Sequence, residues 1–367
     1  FTAFCVNSAA FCLRGVADNL GAMLVVAAIC IIFHIQDAAF ADIDAAEAEL
    51  AGRRLEASDS SEHRVSLVET STQALENVTV AVADNDRTPS AKDRVEAIAA
   101  AHPLPVTYLH APEANISVAR NALLDHARAT GSRLLVYLDD DETVEPAWLA
   151  RLVAAWRAGQ QATPRAGAVL GPVRAHYRAG APGWMDQARA HDTLPVFGRD
   201  GAITGGYTCN TLIDLSDPAA RGLRFDPARG RSGGEDSAFF ADFLGAGGHI
   251  AFAEDAIVHE TVPEDRARLA WLLRRRYRMG QTHASLIARD RSRAGRLGAA
   301  GVAAAKALAC GGLALLGVAR PAWRNRQIMR AALHVGAAAY LGGAPQIEIY
   351  GTAPGRTDSA LRPGPGG

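Results

Sequence analysis

Leu134-Leu135-Val136-Tyr137-Leu138-Asp139-Asp140-Asp141-Glu142-Thr143 is an apolar run that ends in four consecutive acids. An apolar run of this length reads as a buried parallel strand, and open α/β sheets bind ligands at the carboxyl ends of such strands. Four carboxylates there repel one another and are costly to desolvate unless a cation or a hydrogen-bonding ligand balances them. A divalent-metal site is one reading of the run. A solvated acidic turn after a strand is the other.

The same grammar extends outward. "VTVAVADND" reads as a strand ending in Asp84, Asn85 and Asp86, and "SAKDRVEAIAAAH" as a helix with Ser90 at its N-cap. "VTYLHA" is a further strand, "SVARNALLDHARATG" a helix closed by Gly131, and "PAWLARLVAAWRAG" a helix with Pro146 in its first turn. Strands alternating with helices over short links imply a right-handed, mostly parallel α/β sheet flanked by helices. After Ala166 the strands are less regular: "AGAVLGPVRAHY", "GYTCNTLIDL" and "HIAFAEDAIVHE". A loop opening a helix, "GGEDSAFFADFLGAGG", lies between the last two. These patterns divide the chain into a poorly organised segment 1–74, an α/β domain 75–285, a helical membrane-associating region 286–350 and a Gly/Pro-rich tail 351–367 that reads as disordered.

Composition excludes some functions. The 367 residues are 49% hydrophobic with a formal charge of −1, so there is no overall pull towards nucleic acid. Cys5, Cys12, Cys30, Cys209 and Cys310 are scattered and contain no CxxC pair, which suits reduced cysteines and not a disulfide framework or zinc site. Ala22 to Ile35 reads either as a signal-peptide core, with cleavage near Ala41, or as a buried strand. Gly298 to Ala319 is apolar except for Lys306. Arginines flank it: Arg289, Arg291, Arg293 and Arg296 before, Arg320, Arg324 and Arg326 after. That pattern suits a helix at an anionic cytoplasmic leaflet, with a buried bundle helix as the alternative.

Three acidic constellations, Asp84/Asp86, Asp139/Asp140/Asp141 and Glu235/Asp236, are expected to converge at one sheet edge, with His259 and Glu260 ending a fourth strand. Hard oxygens with one imidazole suit Mg²⁺ or Mn²⁺ bound partly through a substrate's phosphates. A carboxylate kept off the metal is free to act as a general base.

The chain from about Asn77 to Gly280 resembles the family 2 inverting glycosyltransferases of GT-A fold, and among them the bacterial succinoglycan-type exopolysaccharide glucosyltransferases. The resemblance rests on "VAVADND", "NISVARNALLDHA", "LVYLDDDETVEPAWL", "GGEDSAFFADFLGAGG", "VHETVPEDR" and "WLLRRRYRMG", in that order. It implies that Asp84, with Asp86 beside it, faces the nucleotide base and that Arg120 holds the nucleotide or its diphosphate. Asp139 and Asp141 would form a DxD element around Asp140, Asp139 near the ribose and Asp141 on the metal. Asp236, after Glu235, would be the base that deprotonates the acceptor hydroxyl. His259 would lie near the metal or diphosphate, and Arg275, Arg276 or Arg278 would cover the leaving phosphates. The implied partners are a nucleotide diphosphate sugar, UDP-linked by preference, and a saccharide or lipid-linked saccharide acceptor at the cytoplasmic membrane face.

The family's entry strand precedes "VTVAVADND" by a helix's length. "HRVSLVETSTQ" stands too close for a parallel crossover. The alternative is "AAICIIFHIQD" as the entry strand with residues 37–57 as its helix, but it lacks the family's loop residues, so either the entry strand is diverged or the N-terminal third is foreign to the fold. Two other readings compete. "LLVYLDDDETV" also fits the strand-DxDxT start of haloacid-dehalogenase-like phosphatases, but the lysine that chemistry needs is missing, since only Lys92 and Lys306 exist. A non-catalytic membrane scaffold of a polysaccharide assembly complex is the third.

Overall fold

The computed structural model describes residues 26–33, 78–102, 104–145 and 147–347. The expected helix 37–57, "HRVSLVETSTQ", Ala41, Pro146 and the tail 351–367 lie outside them.

A seven-stranded sheet forms the centre, in the order β3-β2-β1-β4-β8-β6-β9. Its strands are β1 (Val26–Phe33), β2 (Val78–Asp84), β3 (Val106–His110), β4 (Leu134–Leu138), β6 (Ala168–Leu170), β8 (Asn210–Asp214) and β9 (Ile250–Phe252). Most of "AAICIIFHIQD" is a strand, and β1 lies between β2 and β4, but it is antiparallel to both, so it is not the entry strand of a parallel crossover. β8 likewise runs antiparallel to β4 and β6. The other five strands share one direction, so the sheet is mostly parallel, with β1 and β8 reversed.

Helices cover both faces. On one, α2 (Ile116–Ala129) and α5 (Glu235–Gly245) pack Leu123, Leu124, Phe239, Phe240 and Phe243 against β-strand side chains such as Leu135 and Tyr137. On the other, α3 (Trp148–Gln161) buries Trp148, Leu152 and Trp156 against Leu134, Val136 and Leu138. All five residues of β4 are buried, which is the physical meaning of its unbroken apolar run. The N-cap of the helix α1 (Lys92–Ala101) is Ala91, one residue after the expected Ser90. Ser90 does not cap it; Asp84, at the end of β2, accepts the N–H of Ala91 through Oδ2 at 2.9 Å.

Two apolar stretches read as single strands are each divided. "AGAVLGPVRAHY" breaks at Gly171-Pro172 into β6 and β7 (Val173–Tyr177), and "HIAFAEDAIVHE" into β9 and β10 (Val258–Val262). With β5 (Glu142–Val144), these second halves form a small sheet, β5-β10-β7, beyond the carboxyl end of β4. His259 and Glu260 thus sit within a strand of this second sheet rather than at the end of a strand of the first. Proline, with no N–H and a fixed φ, suits the point where the chain leaves one sheet for another.

Asn210 clamps this crossing. Its Nδ2 donates to the carbonyls of Pro172 (3.0 Å) and Ala256 (2.7 Å), and its Oδ1 accepts from Trp148 Nε1 (2.9 Å). The amide is fully buried, so its donors and acceptor are matched where water does not reach. Gly171 is required beside it, because a Cβ there would collide with Asn210 and the Ala256 carbonyl.

The C-terminal region consists of α6 (Leu269–Ile287), α7 (Arg293–Leu316) and α8 (Pro321–Leu341). Gly280 of α6 and Gly336 of α8 let the two backbones meet, since a Cβ at either would strike the other's carbonyl at Leu333 or Tyr277. A short helix, α4 (Trp184–Gln187), packs Met185 against Leu272 and Met329 of this group.

Candidate active site

The acidic run after β4 is a closed turn. The backbone N–H of Asp139 donates to Glu142 Oε2 at 2.9 Å, and the N–H of Glu142 returns to the Asp139 carbonyl at 3.3 Å. Glu142 is thereby drawn into the protein, while Asp141 is left half-exposed. β5 then joins the small sheet, which sets Glu142 opposite Glu260 and Thr143 opposite His259.

Arg120 joins three sequence motifs. It is 4% exposed, sits on the inner face of α2, and donates through Nη1 to Glu235 Oε1 and through Nη2 to Asp139 Oδ1 at 3.2 Å. Its guanidinium also lies 6.0 Å from the Phe225 ring centre. Glu235 reaches it because Gly233 and Gly234 adopt φ of +78° and +89°, which turn the chain so that α5 starts at the end of β4. Glu235 Oε2 and Arg120 Nε are buried without a hydrogen-bond partner. Asp236, the next residue, is half-buried and accepts from the N–H and hydroxyl of Ser237 through Oδ1.

The electrostatics follow from carboxylates outnumbering cations in a buried place. Burial, then Asp141 and Asp139, pushes Asp140 up to about 8. Burial and Asp141 push Glu260 up to about 7 against the pull of Arg275 and Arg266. Glu142 lies well above the carboxylate range through burial and Asp139. Asp139 is raised by burial despite Arg120, and Glu235 by burial and Asp236. Burial opposes the charge of Arg120, but Asp139 and Glu235 outweigh it and hold the guanidinium charged.

Other expected residues are placed as follows. Arg275 lies against the Trp271 ring, on the side that lowers Glu260. Arg278 is buried, donates to the Ser232 carbonyl at 3.2 Å and lowers Glu235. Arg276 turns away, to the Ala190 carbonyl. Asp84 is fully buried and bonded to the N–H groups of Asp86 and Ala91 and to the Tyr108 hydroxyl (2.8 Å), so it braces the loop after β2. Asp86 accepts the N–H of Arg87 in the same loop. His259 has Nδ1 at 2.7 Å from His176 Nε2 and Nε2 at 3.4 Å from Glu145 Oε1.

Several contributors carried no role in the sequence. Arg266, within "VPEDR", is 3.9 Å from Asp141 and 3.8 Å from Glu260. His176, with no partner pattern along the chain, meets His259 only because β7 pairs with β10. Cys209 gives no signal at all. Among the described residues, the donor atoms close enough to share a metal are those of Asp139, Glu142 and Cys209, within 4.8 Å of one another. Of the expected ligands Asp139 is in that set, while Asp141 and His259 are not. Burial holds the Cys209 thiol well above its usual pKa, hence protonated and a poor donor for a hard cation. The carboxylate oxygens, with their excess of negative charge, do suit Mg²⁺ or Mn²⁺.

A buried histidine supports the segment that carries Arg266. His191 bonds Tyr177 Oη (2.9 Å) and the Arg266 carbonyl (3.2 Å) and stacks on Trp271. Burial, with Arg275 and Arg276 nearby, lowers it to about 4. Its folded value is below the ordinary one, so the unfolded chain binds the extra proton, and stability present above pH ~6.5 is lost as pH falls towards 4. Urea midpoints measured from pH 7 to pH 4.5 are expected to fall less steeply in His191→Gln than in the wild type. Equal slopes would remove His191 from the acid response.

Residues 65–215 match the family model for glycosyl transferase family 2. The succinoglycan biosynthesis protein ExoM of Rhizobium meliloti (strain 1021) is 47% identical over 272 residues, which cover 74% of this chain and 85% of that protein. The chain belongs to glycosyl transferase family 2. It is therefore a glycosyltransferase, and the phosphatase and scaffold readings fall away. The crystal structure of S. aureus TarS aligns at 15% identity and a TM-score of 0.37, over 70% of this chain and 47% of that longer one. The glycosyltransferase match begins at residue 65, within "HRVSLVETSTQ", the stretch set aside as standing too close to β2.

Proposed function

We propose that this glycosyltransferase moves a hexose from a nucleotide diphosphate sugar, UDP-linked by preference, to a saccharide acceptor with inversion at the anomeric carbon. The observation that carries the reading is Arg120, which ties the DxD element at Asp139 to the start of α5 at Glu235. Donor-side and acceptor-side acids thus share one edge without sharing one role. Glu235 is committed to Arg120 and holds the arrangement. Asp236, half-buried beside it, is the base that takes the proton of the acceptor hydroxyl. As the acceptor oxygen bonds to the anomeric carbon, the sugar's bond to the diphosphate breaks and negative charge grows on the departing phosphates. Arg266, 3.9 Å from Asp141, and Arg275, which with it lowers Glu260, would balance that charge. Asp139 and Asp141 would hold Mg²⁺ or Mn²⁺, with His259 nearby, and the ion would supply further neutralisation of the diphosphate. Asp84, Asp86, Arg120 and Asp140 line the donor side, Asp84 by shaping the loop that meets the base.

The relative at 47% identity supports a role in cell-surface polysaccharide synthesis. The apolar, arginine-flanked α7 supports a lipid-linked acceptor and a place at the cytoplasmic membrane face. Calorimetry tests the donor site directly. UDP is expected to bind with Mn²⁺ and to lose at least about tenfold in affinity in Asp141→Ala, on the scale of one lost charge-assisted contact. Metal-independent binding that the substitution leaves unchanged would overturn the DxD assignment.

A further inference from the structure

Among the described residues, α7 is the one helix long and apolar enough to cross a membrane, yet its packing argues against crossing. At 1.5 Å per residue it is about 36 Å long, sufficient to span. One face, Ala303, Ala307, Cys310 and Ala314, is buried in the protein. The opposite face is bare, with Leu308, Leu315 and Leu316 exposed at 78%, 79% and 84%, and Leu297 and Val302 more than half exposed. The charge within the apolar stretch, Lys306, is exposed one position before the buried Ala307, on the side of the helix near His283 of α6 and His334 of α8.

α8 decides the orientation. It follows α7 after a short turn and packs back along it, and it carries Arg324, Arg326 and Arg330 with buried Asn325 and Gln327. Were α7 to cross a bilayer, α8 would be drawn in beside it, with these groups at hydrocarbon depth. α6, in backbone contact with α8, would bring the site arginines with it. A flat position avoids both. The helix ends carry Arg291, Arg293 and Arg296 on one side and Arg320 and Arg326 on the other, all exposed, whereas Arg289 is paired with Asp242. Cations at both ends of a ridge of exposed leucines suit one leaflet surface, not two.

We propose that α7 lies in the plane of an anionic leaflet, its Leu297–Leu316 ridge among the acyl chains and its terminal arginines on the headgroups. This rests on the membrane-face reading of the proposed function and fixes how that face is met. Because α6 carries Arg275 and Arg278 and packs on α8, the bound α7 holds the site at a set height above the surface, where a lipid-linked acceptor would present its saccharide.

The test uses the full chain and sealed vesicles of phosphatidylcholine with or without phosphatidylglycerol. The wild type is expected to float with the phosphatidylglycerol vesicles, and the doubly substituted Leu308→Glu, Leu315→Glu chain to remain behind with UDP binding unchanged. Trypsin added outside the bound vesicles is expected to cut among the arginines at both ends of α7. Protection of one end would show a spanning helix and overturn the proposal. Absence of flotation would overturn it too, as would a dimer abolished by the same substitutions in a chain that ignores lipid. A chain that floats as expected but binds no UDP would count against the transfer reading and leave the membrane placement standing.

Discussion

Asp236→Asn is expected to lower the rate of sugar transfer by about 10³-fold, the usual scale for removing a general base. The substitution keeps shape and hydrogen-bonding reach but cannot accept the acceptor's proton. Donor affinity should stay near the wild-type value, because the residue acts on the acceptor hydroxyl and not on the nucleotide. A fall in kcat without a rise in donor KM is the signature of an interaction made in the transition state. Glu235→Gln is the informative companion. Its amide oxygen still accepts from Arg120, so it should cost far less activity. Should Glu235→Gln abolish transfer while Asp236→Asn preserves it, the two acids have exchanged roles.

Removal of Arg120 is expected to have the largest effect on the fold. In Arg120→Ala, Asp139 and Glu235 lose their shared cation inside the protein, a change that costs about 3–5 kcal/mol. Lysine would not restore the site, since one ammonium cannot reproduce two divergent bonds from a planar fork. The loss has a pH dependence of definite sign. Burial already raises both carboxyls, and without Arg120 they would rise further and take up protons. The folded variant then holds more protons than its unfolded chain, so its deficit relative to wild type grows as pH rises from about 5 to 8. Urea unfolding at both ends of that range measures it. A deficit that shrinks with rising pH would mean that Arg120 does not keep these acids ionised.

Much of this could be read along the chain. β4 was legible because five consecutive apolar residues are buried on both faces, and α2 because Gly131 follows its end, whereas its cap, Asn115, emerged only in the structure. The motif order carried the family. The division of "AGAVLGPVRAHY" and "HIAFAEDAIVHE" was not legible, because a continuous apolar run does not record which of two sheets each half joins. Ser90 is not the cap, because the helix begins one residue later, after Ala91, whose N–H goes to Asp84 at the end of β2.

The sequence by itself determined the α/β alternation, the acidic run at the sheet edge, the ED pair opening α5 and membership of a glycosyltransferase family. Each of these is a local pattern or an ordered series of local patterns. Only the tertiary structure decided that Arg120 joins Asp139 to Glu235, that Glu142 turns inward while Asp141 faces out, and that His176 meets His259. Arg120 and Glu235 stand 115 residues apart, and His176 and His259 stand 83 apart. No periodicity relates such positions. Their contacts follow from how β4, α2, α5 and the small second sheet pack, and burial in that packing is what raises the carboxyls and makes one arginine hold two of them.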